Sequence, residues 1–590
     1  MLHRSRSFAS EGGAPVDILT FDDFRDYSAL RGVLTERGFL SEGTRILNLW
    51  EDLPAMAEFI GSQPALDSES EESPFASYSP LSTQPSAKLV ELGGPHKRLA
   101  RYADDGKTLL QVDHYRSDGS LLLSDRHDAK LLGVHGGRSL TLCDAAGLPL
   151  QEWGSAWGLY RSWLDYVLAG EQAYFVVDNK NTARFMASYQ REHAVVLYQV
   201  HENHLEDPSA GFASELTASA EEVFPRLEGF DGVVFLTEQQ AVDVRRRYAQ
   251  AGNWYVIPNG RSLAAAPEAD SARSERTGMH AATLSHRKRV DHSVRAIHLA
   301  NTTLSAPVGL KIFGDGSQRS QLEELITDLS ETENVQLMGH VTNAQSHFKD
   351  ASFSLLTSTS EAFGLVIVES MAAGCIPIVY DLPYGPASII THGVNGFLVE
   401  YGNVEELARC IAEFVDMPPL EVQEMRQAAR TRADDFSDAN VVRQWVEAMN
   451  HAAEGKRTKG IDHTVEIEDS ACLYSAGGGL EVRATLRLHL QQPIWQERVP
   501  AFYCRLRLRP GEAFFRVAST GFSKDAAGRY AVRFPFESDV LNAMGGSTAD
   551  VFLETRIGET TTVTRMPLAE VKAAPRVYAT VHGNMSISFA

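Results

Sequence analysis

Positive charge is what this sequence is shortest of. Over 590 residues, 55 Lys and Arg stand against 77 Asp and Glu, a formal net charge of −22. A nucleic-acid partner is excluded on that balance, and any polyanionic partner would need a local basic groove working against an unfavourable global field. Cysteine is also scarce. The five residues Cys143, Cys375, Cys410, Cys472 and Cys504 are scattered and form no Cys-x-x-Cys or Cys/His pairing, so neither a disulfide framework nor a zinc site is indicated. No apolar run approaches the roughly 20 residues of a membrane span, and the first residues carry no secretory apolar stretch. A cytoplasmic location is expected.

At this length one core cannot serve the whole chain, and three or four domains are expected. From Leu159 onward an α/β rhythm is legible. Ala173 to Val177, Ala194 to Tyr198 and Gly232 to Leu236 are short apolar runs of the kind that make buried parallel strands, alternating with helical stretches. The rhythm resumes near Met279 and continues through Lys311-Ile-Phe-Gly314 and Val335-Gln-Leu-Met-Gly339. Earlier, between about Lys88 and Trp153, turns such as Arg116-Ser-Asp-Gly119 punctuate alternating runs, which predicts short antiparallel strands. Gln63 to Ser86, rich in Ser, Pro and Glu, predicts a mobile linker or loop. Glu454 to Gly460 predicts a second linker, and the clean alternation of Leu480 to Leu490 opens a β-sandwich over residues 461–590.

The most informative stretch runs from Thr357 to Val379. Phe353 to Leu356 is an apolar strand ending in small hydroxyl residues. A loop carrying Glu361 follows, then a helix from about Gly364 to Ala373 with Glu369 inside it, and then another buried strand. A helix that begins where a parallel strand ends aims unpaired N–H groups and its positive dipole end into the crevice above the sheet, an anion site suited to phosphate. The two carboxylates stand eight residues apart, a span of about 12 Å along a helix. That is too far for an acid/base pair on one bond. It suits one carboxylate on sugar hydroxyls and the other on a ribose diol.

The setting Glu361-Ala-Phe-Gly-Leu-x-x-x-Glu369-x-Met-Ala-x-Gly-x-x-Pro-x-Val379, continued by Tyr384-Gly-Pro386 and Gly393-Val-Asn-Gly-Phe-Leu-Val399, resembles the retaining GT-B glycosyltransferases of family 4. Within them it is most similar to the wall teichoic acid, or poly(glycerol-phosphate), α-glycosyltransferases and to the enzymes that place GlcNAc on adhesin Ser/Thr. The resemblance implies an α/β fold of two Rossmann-like lobes. These would be an acceptor lobe over residues 1–260 with a β-rich insertion at 88–155, and a nucleotide-sugar lobe over 261–435. A helix at 436–453 would cross back onto the first lobe. It implies transfer of glucose or GlcNAc from a UDP-sugar to an anionic polyolphosphate polymer, by front-face attack and without a cofactor or metal. Peripheral proximity to a membrane and homo-oligomerisation through the β-rich insertion go with it.

Site residues follow position by position. Glu361 would orient sugar hydroxyls and Glu369 would hold ribose. Lys288, in Ala281-Ala-Thr-Leu-Ser-His-Arg-Lys288, would neutralise the leaving diphosphate together with backbone N–H groups at Phe363, Gly364 and Leu365. Gly314 and Gly339 would approach the nucleotide. In Gln199-Val-His201-Glu-Asn-His204 the resemblance puts His201, with His204 as second choice, against the diphosphate or the transferred sugar; with no third ligand nearby the pair is not read as a metal site. Two departures stand out. Thr283 occupies the family's arginine position, a loss of a charged hydrogen bond worth roughly 2–3 kcal/mol unless Arg287 or Arg289 substitutes. The family's first strand and glycine-rich loop have no counterpart before Val16, for which truncation is the expectation. A non-catalytic scaffold subunit that keeps the GT-B shape, and a family 4 enzyme acting on another glycan or protein, are the rival readings.

Overall fold

The structure is a computed structural model; it describes residues 2–62, 78–84, 89–207, 214–248, 253–262, 273–457, 463–474, 479–490, 500–511, 513–525, 527–557, 560–568, 577–580 and 584–589. The chain divides into two compact units, Met1–Ala173 and Tyr174–Ala590. No helix among the described residues is long and apolar enough to cross a membrane.

In the first unit, strands β1 (Val16–Thr20) and β2 (Thr44–Asn48) pair in parallel, joined through the helix Tyr27–Glu36. Asp26 caps that helix by accepting from the Ala29 N–H at 3.0 Å, and Ile18, Tyr27 and Ile46 form a small core beneath it. Six strands follow as an antiparallel meander: β3 (Leu89–Leu92), β4 (Arg98–Tyr102), β5 (Leu109–Tyr115), β6 (Leu121–Arg126), β7 (Ser139–Cys143) and β8 (Pro149–Trp153). The alternation that predicted these strands does not separate core from solvent, because β6 and β7 are buried along their whole length. The polar positions are instead tied together inside. Gln111 donates to Asp113 at 2.9 Å, Ser124 donates to the same carboxylate at 2.7 Å, and Arg101 pairs with Asp128 at 2.7 Å. Of the stretch read as a linker, 63–77 and 85–86 lie outside the described residues. Residues 78–84 are anchored: Leu81 is buried and its N–H donates to Asp113 at 2.7 Å.

The second unit opens with a four-stranded sheet in the order β12 (Trp254–Val256), β11 (Gly232–Phe235), β10 (Ala194–Gln199), β9 (Ala173–Val177), the β10/β11 and β11/β12 pairs being parallel. A six-stranded parallel sheet follows in the order β15 (Val335–Gly339), β14 (Gly309–Phe313), β13 (Thr277–Ala281), β16 (Phe353–Leu356), β17 (Ile376–Tyr380), β18 (Phe397–Val399). Strands β16 and β17 are buried throughout, as a sheet covered by helices on both faces requires. The winding reverses between β13 and β16, the place where open α/β sheets leave a crevice beyond their strand ends. These two strands are locked by one contact. Gly278 lies under the Phe353 ring so closely that a Cβ there would stand 2.3 Å from it, and Phe353 is fully buried.

The helix Asp438–Arg457 lies against the four-stranded sheet, with Lys456 Nζ 2.8 Å from Asp231 and the Tyr255 hydroxyl 2.8 Å from His451 Nδ1. It runs through Glu454 to Arg457, so that part of the expected linker is helical; 458–460 lie outside the described residues. Residues beyond it build two antiparallel sheets. One has the order β19 (His463–Tyr474), β20 (Leu480–Leu490), β24 (Arg529–Phe536), β23 (Phe522–Lys524). The other is β22 (Phe514–Ala518), β21 (Ala501–Arg509), β25 (Thr548–Ile557), β28 (Met585–Ser588), β27 (Val577–Ala579), with β26 (Thr560–Arg565) on β25. Val482, Leu486, Phe534, Leu506, Val551 and Ile587 supply their shared core. This body is fastened to the four-stranded lobe. Arg505 and Arg516 share the buried Glu554, Arg505 also pairs with Glu228, and the Phe514 ring meets Tyr248 edge-on at 5.4 Å.

Burial lowers the pKa of several histidines, among them His280 and His204. His280 of β13 lies wholly inside, its Nδ1 2.9 Å from the Ser293 hydroxyl, and burial pushes its pKa down to about 3. His204 is stacked between Phe224 at 5.3 Å and Tyr384 at 5.7 Å, one ring from each lobe, and burial likewise takes it down to about 3. Their folded pKa values lie below the unfolded value of about 6.5, so their contribution is complete above that pH and is lost as pH falls and the unfolded chain alone takes up protons. Each should cost about 2 kcal/mol at pH 5. Thermal unfolding followed from pH 7.5 to 5 should show this acid loss, and His204→Phe, which keeps the stack, should reduce it by the share of one histidine. Phe353→Ala should destabilise the chain by about 3–5 kcal/mol, read from denaturant unfolding.

Candidate functional site at the sheet crossover

Two loops leave the sheet at the reversal point, one from the end of β13 and one from the end of β16. The first turns through His286–Lys288 and places Arg289 in a left-handed conformation, φ 43°. The second passes through Thr357 to Gly364 and feeds the helix Leu365–Ala372. They are stitched together by main-chain bonds. The Thr359 N–H donates to the Arg287 carbonyl at 2.8 Å, and the Thr357 hydroxyl lies 3.1 Å from the Lys288 carbonyl and 2.7 Å from that of Arg289. Behind them a buried polar chain continues from Thr357 to Ser293, 3.2 Å, and on to His280. This framework delivers Lys288 Nζ to Glu361 Oε1 at 2.5 Å, both side chains mostly buried.

Next to that pair the helix Leu365–Ala372 begins without a side-chain cap. Gly364 stands at its head with φ 91°, a conformation glycine reaches without strain. The opening turn therefore presents its N–H groups and positive dipole end beside Lys288 and Glu361. Phe363 is buried against Phe436, 5.5 Å between centroids, so it contributes main chain rather than side chain to the crevice. The neighbouring loop is pressed close. A Cβ on Gly385 would stand 1.8 Å from the Phe363 carbonyl, and the Tyr384 N–H donates to the Glu361 carbonyl at 3.1 Å. Tyr384 is the ring stacked on His204, and burial raises its phenol pKa. One residue thus joins the Glu361 loop to the lobe of the four-stranded sheet.

Glu369, one turn into the helix, pairs with Arg261 at 2.6 Å. Arg261 follows directly on Gly260, and its N–H donates to the Phe436 carbonyl at 3.0 Å, where the two chain crossings between the lobes run side by side. Sequence reasoning did not single out Arg261, Tyr384 or Thr357 as side-chain participants. Only the return of the chain at Phe436 brings Arg261 to Glu369, and no local pattern encodes that. The two arginines weighed against Thr283 go different ways. Arg289 turns back on Asp291 at 3.2 Å, away from this role, whereas Arg287 reaches the Ser360 carbonyl at 3.1 Å, next to Glu361. Thr283 itself is exposed.

The remaining expected residues sit apart from this pair. Gly314 and Gly339 meet each other, the Gly314 N–H donating to the Gly339 carbonyl at 2.8 Å, and a Cβ on Gly314 would stand 1.8 Å from the Ala282 carbonyl. Close packing of the β13 and β14 loops is therefore sufficient reason for Gly314. His201 lies beyond β10 in a cavity of about 110 Å³, with Nε2 2.5 Å from Asp178 Oδ1. Asn179, Tyr198 and Thr217 also line it. Among the described residues no group of three or more His, Cys, Asp or Glu could hold a metal ion.

Known proteins resemble this chain in sequence and in fold. The family described as "Glycosyl transferases group 1" matches residues 270–433. Poly(glycerol-phosphate) alpha-glucosyltransferase of Bacillus subtilis (strain 168) is 29% identical over 234 residues, which are 40% of this chain and 34% of that one. Poly(ribitol-phosphate) alpha-N-acetylglucosaminyltransferase of Staphylococcus aureus (strain COL) is 23% identical over 488 residues, 76% of this chain and 96% of that one. Among solved structures, S. aureus TarM superposes with a TM-score of 0.55 at 19% identity, covering 76% of this chain and 94% of that one. The GtfA/B complex gives 0.53 at 18%, covering 77% and 96%. Residues 270–433 thus match the group 1 glycosyl transferases in sequence, and the chain shares its fold with the GT-B structures.

Proposed function

We propose that this chain is a retaining, UDP-sugar-dependent glycosyltransferase of family 4 that transfers glucose or GlcNAc to a polyol-phosphate acceptor of the teichoic-acid type. The observation that carries the reading is the Lys288–Glu361 pair at the sheet crossover, beside the uncapped start of the helix Leu365–Ala372. The Bacillus subtilis and Staphylococcus aureus relatives are named for polyol-phosphate acceptors, and a TarM structure is described with UDP. Both support it.

The chemistry follows from where charge develops. As the sugar leaves, negative charge collects on the diphosphate. A lysine and a set of fixed N–H dipoles stabilise it there without reorganising at the moment of reaction. Before the donor arrives, Lys288 and Glu361 hold each other in place. The diphosphate then takes the ammonium, and Glu361 turns to the sugar hydroxyls, its former partner satisfied elsewhere. Glu369 grips the ribose diol while keeping Arg261, since a carboxylate offers about four acceptor sites. Departing phosphate takes the acceptor's proton, so the positive groups of this chain do the work a metal does in other transferases. The two-sheet body after residue 461 and the 88–155 insertion are accessory to this centre.

The test is UDP release from UDP-glucose and UDP-GlcNAc with poly(glycerol-phosphate) and poly(ribitol-phosphate), and the anomeric configuration of the product. Lys288→Ala should lower kcat/KM about 100-fold or more. Glu369→Ala should raise the donor KM at least tenfold. Full turnover by Glu369→Ala would remove the ribose assignment, and a folded chain that releases UDP with none of these pairs would overturn the reading.

A further inference from the structure

A second cluster of charge lies far along the chain, on the outer face of the sheet that holds β21 and β25. Arg507 stands directly across from Asp550 in the pairing of those strands, and Ser586 of β28 stands on its other side. Three arginines converge on this one buried carboxylate. Arg509 Nε is 2.9 Å from Oδ2, Arg565 Nη2 is 2.7 Å from Oδ1, and Arg507 Nη2 is 3.8 Å from Oδ2. Ser586 donates to Oδ1 at 2.8 Å. The carboxylate is 5% exposed, but the Arg507, Arg509 and Arg565 side chains are 39%, 45% and 30% exposed. Phe552 lies under two of them, with Arg507 at 4.9 Å and Arg565 at 5.9 Å from its ring.

The arrangement is not a balanced ion-pair network. Among the described residues three positive charges face one negative, on a chain whose formal charge is −22. Asp550 and Phe552 fix the guanidinium planes in advance, and fixed forks suit phosphate oxygens better than mobile lysines do. Two further arginines of this face, Arg505 and Arg516, are paired with Glu554 and Glu228. What remains is a small, oriented, solvent-facing basic patch, the local feature that a polyanion needs on an acidic protein.

We infer that Arg507, Arg509 and Arg565 form a docking site for the phosphodiester backbone of the acceptor polymer, separate from the transfer centre. The inference rests on the acceptor class proposed above. A polymer that repeats one negative charge per unit engages several guanidinium groups together, and its next unit rebinds before the first escapes. A single small anion at so exposed a place gains little.

Calorimetric titration of the full chain with poly(glycerol-phosphate) tests it, comparing wild type with Arg507→Gln/Arg509→Gln, which leaves Arg565 and Ser586 on Asp550. Binding should weaken tenfold or more, and log Kd against log salt should become shallower by roughly one to two units. Arg507→Lys/Arg509→Lys, which keeps the charge but loses the fork, should bind more tightly than the glutamine variant and less tightly than wild type. Thermal unfolding controls for folding, and Arg507→Gln alone, which touches Asp550 least, serves if the double variant unfolds. Equal binding by wild type and variant, or binding of phosphatidylglycerol vesicles but not polymer through these arginines, overturns the inference. UDP release onto polymer with arginine-independent binding would spare the transferase reading and sink this one. Arginine-dependent binding without UDP release would do the reverse.

Discussion

The geometry of the second lobe depends on the join between two loops, one after β13 and one after β16. Those strands are neighbours in space but far apart in sequence, and they meet where the sheet reverses its winding. Gly278 under Phe353 brings the strands together, Thr357 ties the loops by their carbonyls, and the Lys288–Glu361 pair closes the end. A mostly dry ion pair contributes little net stability, because desolvation offsets most of the attraction. Its value is directional. With one partner removed, the other charge is left in a place that solvates it poorly, so the pair specifies a single arrangement of both loops.

Much of this was legible beforehand, for a physical reason. Parallel strands covered on both faces read as apolar runs, so β10, β11, β16 and β17 stand out at once. The Glu361 loop and the helix after it are contiguous in sequence, and their glycines and apolar spacing encode the turn and the buried face locally. Lys288 was identified by its motif and does reach Glu361. What escaped was non-local. Arg261 meets Glu369 only because the chain returns beside it at Phe436, and Tyr384 meets His204 only because two lobes close on one another. The meander of β3 to β8 misleads in another way. Polar alternation normally marks a wet face, but here Gln111, Asp113, Arg101 and Asp128 satisfy one another under cover. The helical stretch Glu454 to Arg457 was read as a linker because its charges and glycine lack an obvious partner, whereas Lys456 finds Asp231 in the first lobe.

His204 and Tyr384 give the lobes more than contact. The histidine ring lies flat against a phenol ring from the other lobe, at 12° between planes, and that phenol ring belongs to the residue that hydrogen-bonds the Glu361 carbonyl. The stack and the carboxylate loop are therefore coupled through one residue's backbone. The device works through stacking and amide geometry rather than charge, so salt would leave it intact.

The fastening of the last two sheets has an evolutionary corollary. Glu228 and Tyr248 of the four-stranded lobe rest against Arg505, Arg516 and Phe514. Cutting the gene before residue 463 would not yield a lighter catalyst, because it would strand an acid without its counter-ions and wet an aromatic wall. A module once acquired on such terms becomes hard to discard.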